Sequence, residues 1–205
     1  MENCNLHKHE VVVILIATAI FPLLSLILGD ALVALLLGNA GMLKMMFGER
    51  IIFAMTALFL WWELNKTGLI RIKTKQIFSF KQVSILIISV ILITIYVFLF
   101  TEKYISAIYI FLFIVLNFLI AWEEEFVYRL LVPEILKILF RNFFIICLLQ
   151  GIIFSYLGHM EESILDNLLY RLPLSIVLFV IRDKTGNILV STTIHALWNI
   201  VLDFI

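Results

Sequence analysis

Trp122-Glu123-Glu124-Glu125-Phe126-Val127-Tyr128-Arg129 sets three carboxylates and a guanidinium at the end of the apolar run Tyr104 to Trp122. An ionised side chain at the middle of a bilayer costs about 2.5 to 3.5 kcal/mol on insertion scales, so such groups pair with one another or line a functional cavity. On a helix, positions four apart share a face and neighbouring positions diverge by about 100 degrees. Glu125 therefore lies under Arg129, with the acid on the amino-terminal side, the favourable order for an ion pair. Glu124 points elsewhere and is left available for chemistry. Taken alone, the stretch reads equally well as a solvated helix end, with Trp122 and Glu123 at the membrane interface.

The rest of the chain decides what surrounds that charge. Of 205 residues 63% are hydrophobic, and mean hydropathy is +1.12, far more apolar surface than a soluble core of this length buries. The composition indicates a multi-pass integral membrane protein of the cell membrane, with the lipid bilayer as its solvent. Fifteen basic and fifteen acidic residues cancel, which leaves no basic footprint of the kind that marks nucleic-acid binding. Cys4 in the polar amino-terminal tail and Cys147 in an apolar run read as free thiols. No small-residue cleavage site follows the first apolar segment, so that segment reads as a retained helix rather than a signal peptide.

Apolar runs long enough for membrane helices cover Val11 to Leu28, Val83 to Phe100, Tyr104 to Trp122, Asn142 to Gly158 and Asn187 to Ile205, with shorter runs at Ile51 to Trp62 and Leu172 to Ile181. The expected fold is all-α: a polytopic transmembrane bundle of about seven helices, in the range six to eight, forming one integral membrane domain over residues 1–205. Asp30 to Gly48 reads as a connector or an interfacial helix. The polar linker Lys66 to Lys81 carries Lys66, Arg71, Lys73, Lys75 and Lys81 and no acid, which places it in the cytoplasm under the positive-inside rule. Alternate crossings counted from it treat Tyr104 to Phe140 as one long crossing and put the acidic patch Glu161, Glu162 and Asp166 outside.

Two of the four histidines lie in hydrophobic segments. His159 ends the run Phe143 to Gly158, and His195 stands in the last run with Asn199 one turn further on. Phe140-Arg141-Asn142 reads as a turn halfway between Glu124 and His159. Each arm is about 17 residues, roughly 25 Å at about 1.5 Å per residue, so an antiparallel hairpin brings Glu124 level with His159. Pro133 kinks the first arm without cancelling this register. His195 and Asn199 project from one face of the last helix.

A carboxylate, an imidazole beside it, and an imidazole plus carboxamide opposite are what peptide hydrolysis by an activated water requires. Glu124 is the candidate general base, its pKa raised toward the working range by poor solvation. His159 would orient the same water. His195 and Asn199 would donate to the oxyanion, a stabilisation worth about 3 kcal/mol per donor. Other chemistries have less behind them. There is no His-Glu-x-x-His helix of the zinc-protease kind, although Glu124, His159 and His195 have the chemistry of zinc ligands. Nothing marks Ser155 or Ser191 as an activated nucleophile. A proton-coupled carrier would be expected to show repeated or broken helices, and no internal repeat is found.

These residues resemble the CAAX protease and bacteriocin-processing (Abi) family of intramembrane glutamic proteases. Glu124-Glu125-Phe126-Val127-Tyr128-Arg129 fits its Glu-Glu-x-x-x-Arg, Phe154 to His159 resembles its Phe-x-x-x-His, and His195-Ala196-Leu197-Trp198-Asn199 fits its His-x-x-x-Asn. Arg182-Asp183-Lys184-Thr185-Gly186 is similar to the tight turn before the last motif helix. The resemblance covers a motif-bearing core of about residues 117–205. It implies Glu124 as catalytic base, His159 as its partner, His195 with Asn199 as the oxyanion-stabilising pair, and Glu125 with Arg129 in support. It implies no metal and no cofactor, and a peptide or membrane-protein substrate. Two positions depart from the pattern: Phe154 stands five residues before His159 rather than four, leaving Ser155 where the aromatic falls, and Leu130 follows Arg129 where the family often has Gly. The same family is associated with bacteriocin self-immunity, so the alternative expectation is a membrane protein that binds a peptide or toxin without cutting it. The crossing count puts His159 near the outer side, while the resemblance implies access from the cytosol.

Overall fold

The computed structural model describes residues 7–38, 41–100, 106–160 and 162–204; Cys4, Tyr104 and Glu161 lie outside them. Among the described residues every regular element is helical, and seven long helical rods make up the bundle. They are α1 (Lys8–Leu37), α2 (Met42–Lys66), α4 (Phe80–Phe100), the continuous stretch Ala107–Leu139, α7 (Phe143–Leu157), the continuous stretch Ile164–Thr185, and α10 (Ile188–Phe204), with a single-turn α3 (Thr74–Ile77) leading into α4. Four stretches are long and apolar enough to cross a membrane: Lys8–Leu36, Thr74–Leu99, Ala107–Leu139 and Ile164–Thr185. The helices Phe143–Leu157 and Ile188–Leu202 are apolar but shorter.

The outside of the bundle is as apolar as its interior. Leu35, Phe80, Leu99, Phe144 and Ile164 are among many large hydrophobic side chains exposed on its surface, an arrangement that lipid stabilises and water does not. The interior holds two apolar clusters. One joins Val11, Leu15 and Ala19 of α1 to Phe53 and Ala57 of α2, and to Phe126 through Leu136, Ile146 and Phe154. The other joins α4 and α10 to Ile110, Ile114, Phe118 and Ala121.

The expected connector over Asp30 to Gly48 is not there. Ala31 to Leu37 continues α1 without a break, and Met42 to Phe47 begins α2. The chain turns at Gly38, whose φ of 58° is the left-handed conformation glycine adopts without strain. Gly48 is a packing residue: a Cβ there would lie 2.5 Å from Val33 Cγ2, so its lack of a side chain lets α1 and α2 approach closely.

Both continuous stretches carry a π-helical segment that ends one residue short of a proline. α5 (Ala107–Glu125) passes through the π segment Phe126–Leu131 into α6 (Val132–Leu139), and α8 (Ile164–Asp166) passes through Asn167–Arg171 into α9 (Leu172–Thr185). Pro133 and Pro173 have no N–H for the carbonyl four residues back. The hydrogen bonding widens instead: Val132 N–H donates to Val127 O and Leu172 N–H to Asn167 O, each five residues apart. The bend expected at Pro133 is thus taken up by a wider turn.

Phe140 is extended, and Asn142 caps α7 by accepting from Phe144 N–H at 2.8 Å and Ile145 N–H at 3.4 Å. This is the turn the hairpin needed. The second expected turn starts later than the sequence suggested. Arg182 to Thr185 finish α9, and the reversal falls at left-handed Gly186 and at Asn187, whose Oδ1 accepts from Leu189 N–H at 2.8 Å.

Candidate active site

The three glutamates at the end of α5 fan out in three directions. Glu123 turns toward α2, where Arg50 Nη1 donates to its Oε1 at 2.8 Å. Its side chain has no exposure, so Glu123 is not the solvated residue that the helix-end reading expected. The reason is Arg50, a partner no local pattern announces. Glu125, also fully buried, faces the opposite way and is shared: Arg129 Nε lies 3.2 Å and His195 Nδ1 3.0 Å from the same Oε1. A carboxylate only accepts, so His195 Nδ1 carries a proton and donates.

Glu124 lies between these two pairs. It lines a cavity of about 190 Å³ together with Leu23, Leu26, Arg50, Phe53, Tyr128 and the turn Leu157 to Met160, which includes His159. The hairpin estimate therefore holds in space: Glu124 and His159 border one cavity. His195 approaches Glu124 from the other side, with Nε2 3.6 Å from Oε2, an ion-pair distance too long for a direct hydrogen bond. Among the described residues no group of three His, Cys, Asp or Glu side chains is arranged to hold a metal ion.

Phe154 ties the cluster together. It is fully buried, and its ring meets His159 edge-on at a centroid distance of 4.9 Å, His195 at 6.0 Å and Tyr128 at 5.3 Å. The guanidinium carbon of Arg129 sits 3.8 Å over its face, a cation–π contact favoured where water is excluded. The extra residue between Phe154 and His159 does no harm to this packing. α7 ends at Leu157, and the turn through Gly158 swings His159 back over the aromatic ring. Tyr128 fastens the π segment to α1 by donating to Ala19 O at 3.2 Å.

His159 is buried, at 9% exposure, and is held from the second π segment. Asn167 Nδ2 donates to its main-chain oxygen at 3.0 Å, and Arg171 Nη1 lies 3.3 Å from its Nε2. Arg171 in turn donates through Nη2 to Glu162 Oε1 at 2.8 Å. Asn199 is half-buried one turn beyond His195 on α10. The structure thus brings Glu124, His159 and His195 together; Asn199 shares the helix face of His195 but none of the contacts joining the other three.

Sequence reasoning missed Arg50 and Arg171. Each is a basic residue bordering or entering an apolar run, a signal that Glu123 to Arg129 also gave. Their acidic partners lie 73 and nine residues away, beyond any helical periodicity.

A bundle with an apolar exterior and a carboxylate set against two imidazoles in its interior defines a polytopic membrane protein with a built polar site. Residues 106–201, a little under half of the chain, match the family model for Rce1-like type II CAAX prenyl endopeptidases. The family consists of membrane-embedded proteases that act on peptide or protein substrates. The matched stretch contains Glu124, His159, His195 and Asn199, while Leu23, Leu26, Arg50 and Phe53 of the cavity come from helices before it. No curated protein and no solved structure matches the chain significantly.

Proposed function

We propose that this chain is a metal-independent intramembrane endopeptidase of the cell membrane that hydrolyses a peptide or a membrane-associated protein with a glutamate-activated water. The observation that carries the reading is the cavity shared by Glu124 and His159, with His195 Nε2 3.6 Å from the Glu124 carboxylate. Glu124 accepts a proton from water as the oxygen attacks the scissile carbonyl, and returns it to the leaving amine as the carbon–nitrogen bond breaks. His159 orients the water. The Asn199 carboxamide donates to the oxyanion of the tetrahedral intermediate, and so does His195 Nε2 in the imidazolium form, since Nδ1–H is already committed to Glu125.

The remaining charges serve position. Arg129 and His195 both converge on Glu125 Oε1, which holds the His195 ring so that Nε2 faces Glu124. Arg50 holds Glu123 away from the cavity, so that Glu124 alone of the three presents its carboxylate there. The basic loop from Lys66 to Lys81 orients the bundle with that loop in the cytoplasm.

The test is turnover of a candidate membrane-anchored peptide by purified protein in micelles or liposomes. Glu124→Gln keeps the shape of the side chain and removes the base, and the expected result is loss of cleavage in a protein that still folds. Undiminished cleavage by folded Glu124→Gln overturns the mechanism. Peptide binding without cleavage by wild type, unaffected by loss of Glu124 and His159, would point to a non-catalytic binding or immunity protein instead.

A further inference from the structure

We propose that residues 66–81, which join α2 to α4, form a fixed platform that binds the headgroups of anionic phospholipids in the leaflet facing it. The segment carries Lys66, Arg71, Lys73, Lys75 and Lys81 and no acid, and all five side chains are exposed. Other cations are neutralised within the chain: Arg50, Arg129, Lys137, Arg171 and Arg182 each lie against a glutamate. Among the described residues no carboxylate pairs with any of the five, although Lys66 Nζ sits 4.6 Å over the Trp62 ring. Positive charges gathered in one short segment without internal counter-charge attract anions from outside the chain.

The backbone of the segment is held at several points. Leu69 and Ile70 N–H donate to Leu64 O at 3.1 and 3.3 Å, and Ile72 N–H donates to Asn65 Oδ1 at 3.0 Å. Asn187 Nδ2, at the start of α10, donates to Lys75 O at 2.7 Å. Ile70, Ile72 and Ile77 are buried in the core. Residues 70–73 are not helical, and in an extended stretch successive side chains point to opposite sides. With Ile70 and Ile72 turned inward, Arg71 and Lys73 are turned outward together. Because the backbone is already ordered, a ligand does not have to order it.

What lies among the cations sets the chemistry of the occupant. Trp62 and Phe78 are half exposed and Phe80 is 91% exposed, and Phe78 stacks on Trp122 of α5 at a centroid distance of 6.2 Å. Exposed aromatic rings beside basic side chains suit a membrane–water interface, where rings sit at headgroup level and cations reach the phosphates. The segment runs directly into the apolar stretch Thr74–Leu99, so it meets the bilayer at that depth. Clusters of about four to eight Lys and Arg beside a membrane helix attract anionic lipid. A soluble acidic partner would leave the three rings in water.

The experiment is native mass spectrometry of the full chain released from detergent micelles, titrated with phosphatidylglycerol or with phosphatidylcholine of the same acyl chains. Wild type is expected to retain phosphatidylglycerol at a lipid concentration at least about fivefold lower than phosphatidylcholine. Replacing Arg71, Lys73, Lys75 and Lys81 together by Gln is expected to abolish the preference. Lys73→Gln alone is expected to weaken phosphatidylglycerol retention by up to about fivefold, the scale of one cation at an anionic surface, and it keeps the test open if the fourfold variant does not fold. Arg141→Gln, which removes an exposed cation outside the segment, should leave the preference in place. No preference in wild type, a preference untouched by the fourfold replacement, or an equal loss in Arg141→Gln overturns the proposal. Glycerol phosphate carries the phosphate charge without acyl chains, and its binding at the same concentration as phosphatidylglycerol would overturn the assignment to lipid in favour of a soluble anion. Retention is read without turnover, so the outcome does not depend on whether the chain cleaves peptides.

Discussion

Replacing Arg50 by Met removes the only cation hydrogen-bonded to Glu123 among the described residues while keeping most of the side-chain volume. How much this costs depends on burial. An exposed ion pair contributes about 0 to 1 kcal/mol, but breaking a buried one costs about 3 to 5 kcal/mol, because the remaining charge is left without compensation. Glu123 has no side-chain exposure and Arg50 has 22%, with 2.8 Å between Nη1 and Oε1. The pair belongs to the buried class, and the partial access of Arg50 places the expected loss at the lower end, about 3 kcal/mol. Replacing both partners by apolar residues is often neutral, so Arg50→Met with Glu123→Leu should recover to within about 1 kcal/mol of wild type. That corresponds to a coupling of at least about 2 kcal/mol, the value reached if Glu123→Leu alone costs nothing, well above the additivity expected of independent sites. The assay is reversible unfolding in mixed micelles followed by circular dichroism, run on wild type, both single variants and the double variant. A loss below about 1 kcal/mol for Arg50→Met, or strictly additive single effects, would show that the pair behaves as a solvated one and that Glu123 is not sealed in the bundle.

Phe154→Ala should reduce stability by about 3 to 5 kcal/mol, the range for emptying a fully buried aromatic site, and should abolish cleavage, because both histidines and Arg129 rest on that ring; a stable and active variant in the same unfolding and turnover assays would refute its central place. Gly48→Ala pushes a methyl against Val33, an overpacking expected to cost about 1 to 3 kcal/mol, and Val33→Ala in the same chain should restore most of it; no recovery would mean that α1 and α2 do not meet there. Exhaustive chelation should leave turnover unchanged in the activity assay, and loss of activity restored by zinc would place a metal in the reaction.

Much of this architecture is readable from residue order alone because its causes are local. Long apolar runs form helices wherever lipid is the solvent, and the stretch from Ala107 to Leu139 is one continuous helical rod although Glu123 to Arg129 interrupt its hydrophobicity. Glu125 with Arg129 is a one-turn pair, and the Phe140 to Asn142 turn sets the register that puts Glu124 and His159 on one cavity. The connector over Asp30 to Gly48 was misread for an equally physical reason. Glycine signals a break unless a neighbouring helix needs its space, and at Gly48 the neighbour is Val33, which sequence spacing does not reveal.

The chain by itself determined the class of fold, the helix boundaries near Asn142, and which polar residues stand where apolar ones are expected. Tertiary structure decided what those residues do. Glu123, Glu124 and Glu125 are adjacent and chemically identical, yet one is bound by Arg50 of α2, one opens on the cavity with His159, and one is shared by Arg129 and His195. Helical geometry sets only that the three point apart. Which of them meets a cation, an imidazole or a cavity depends on side chains brought in by other helices, and so on packing that no local periodicity encodes.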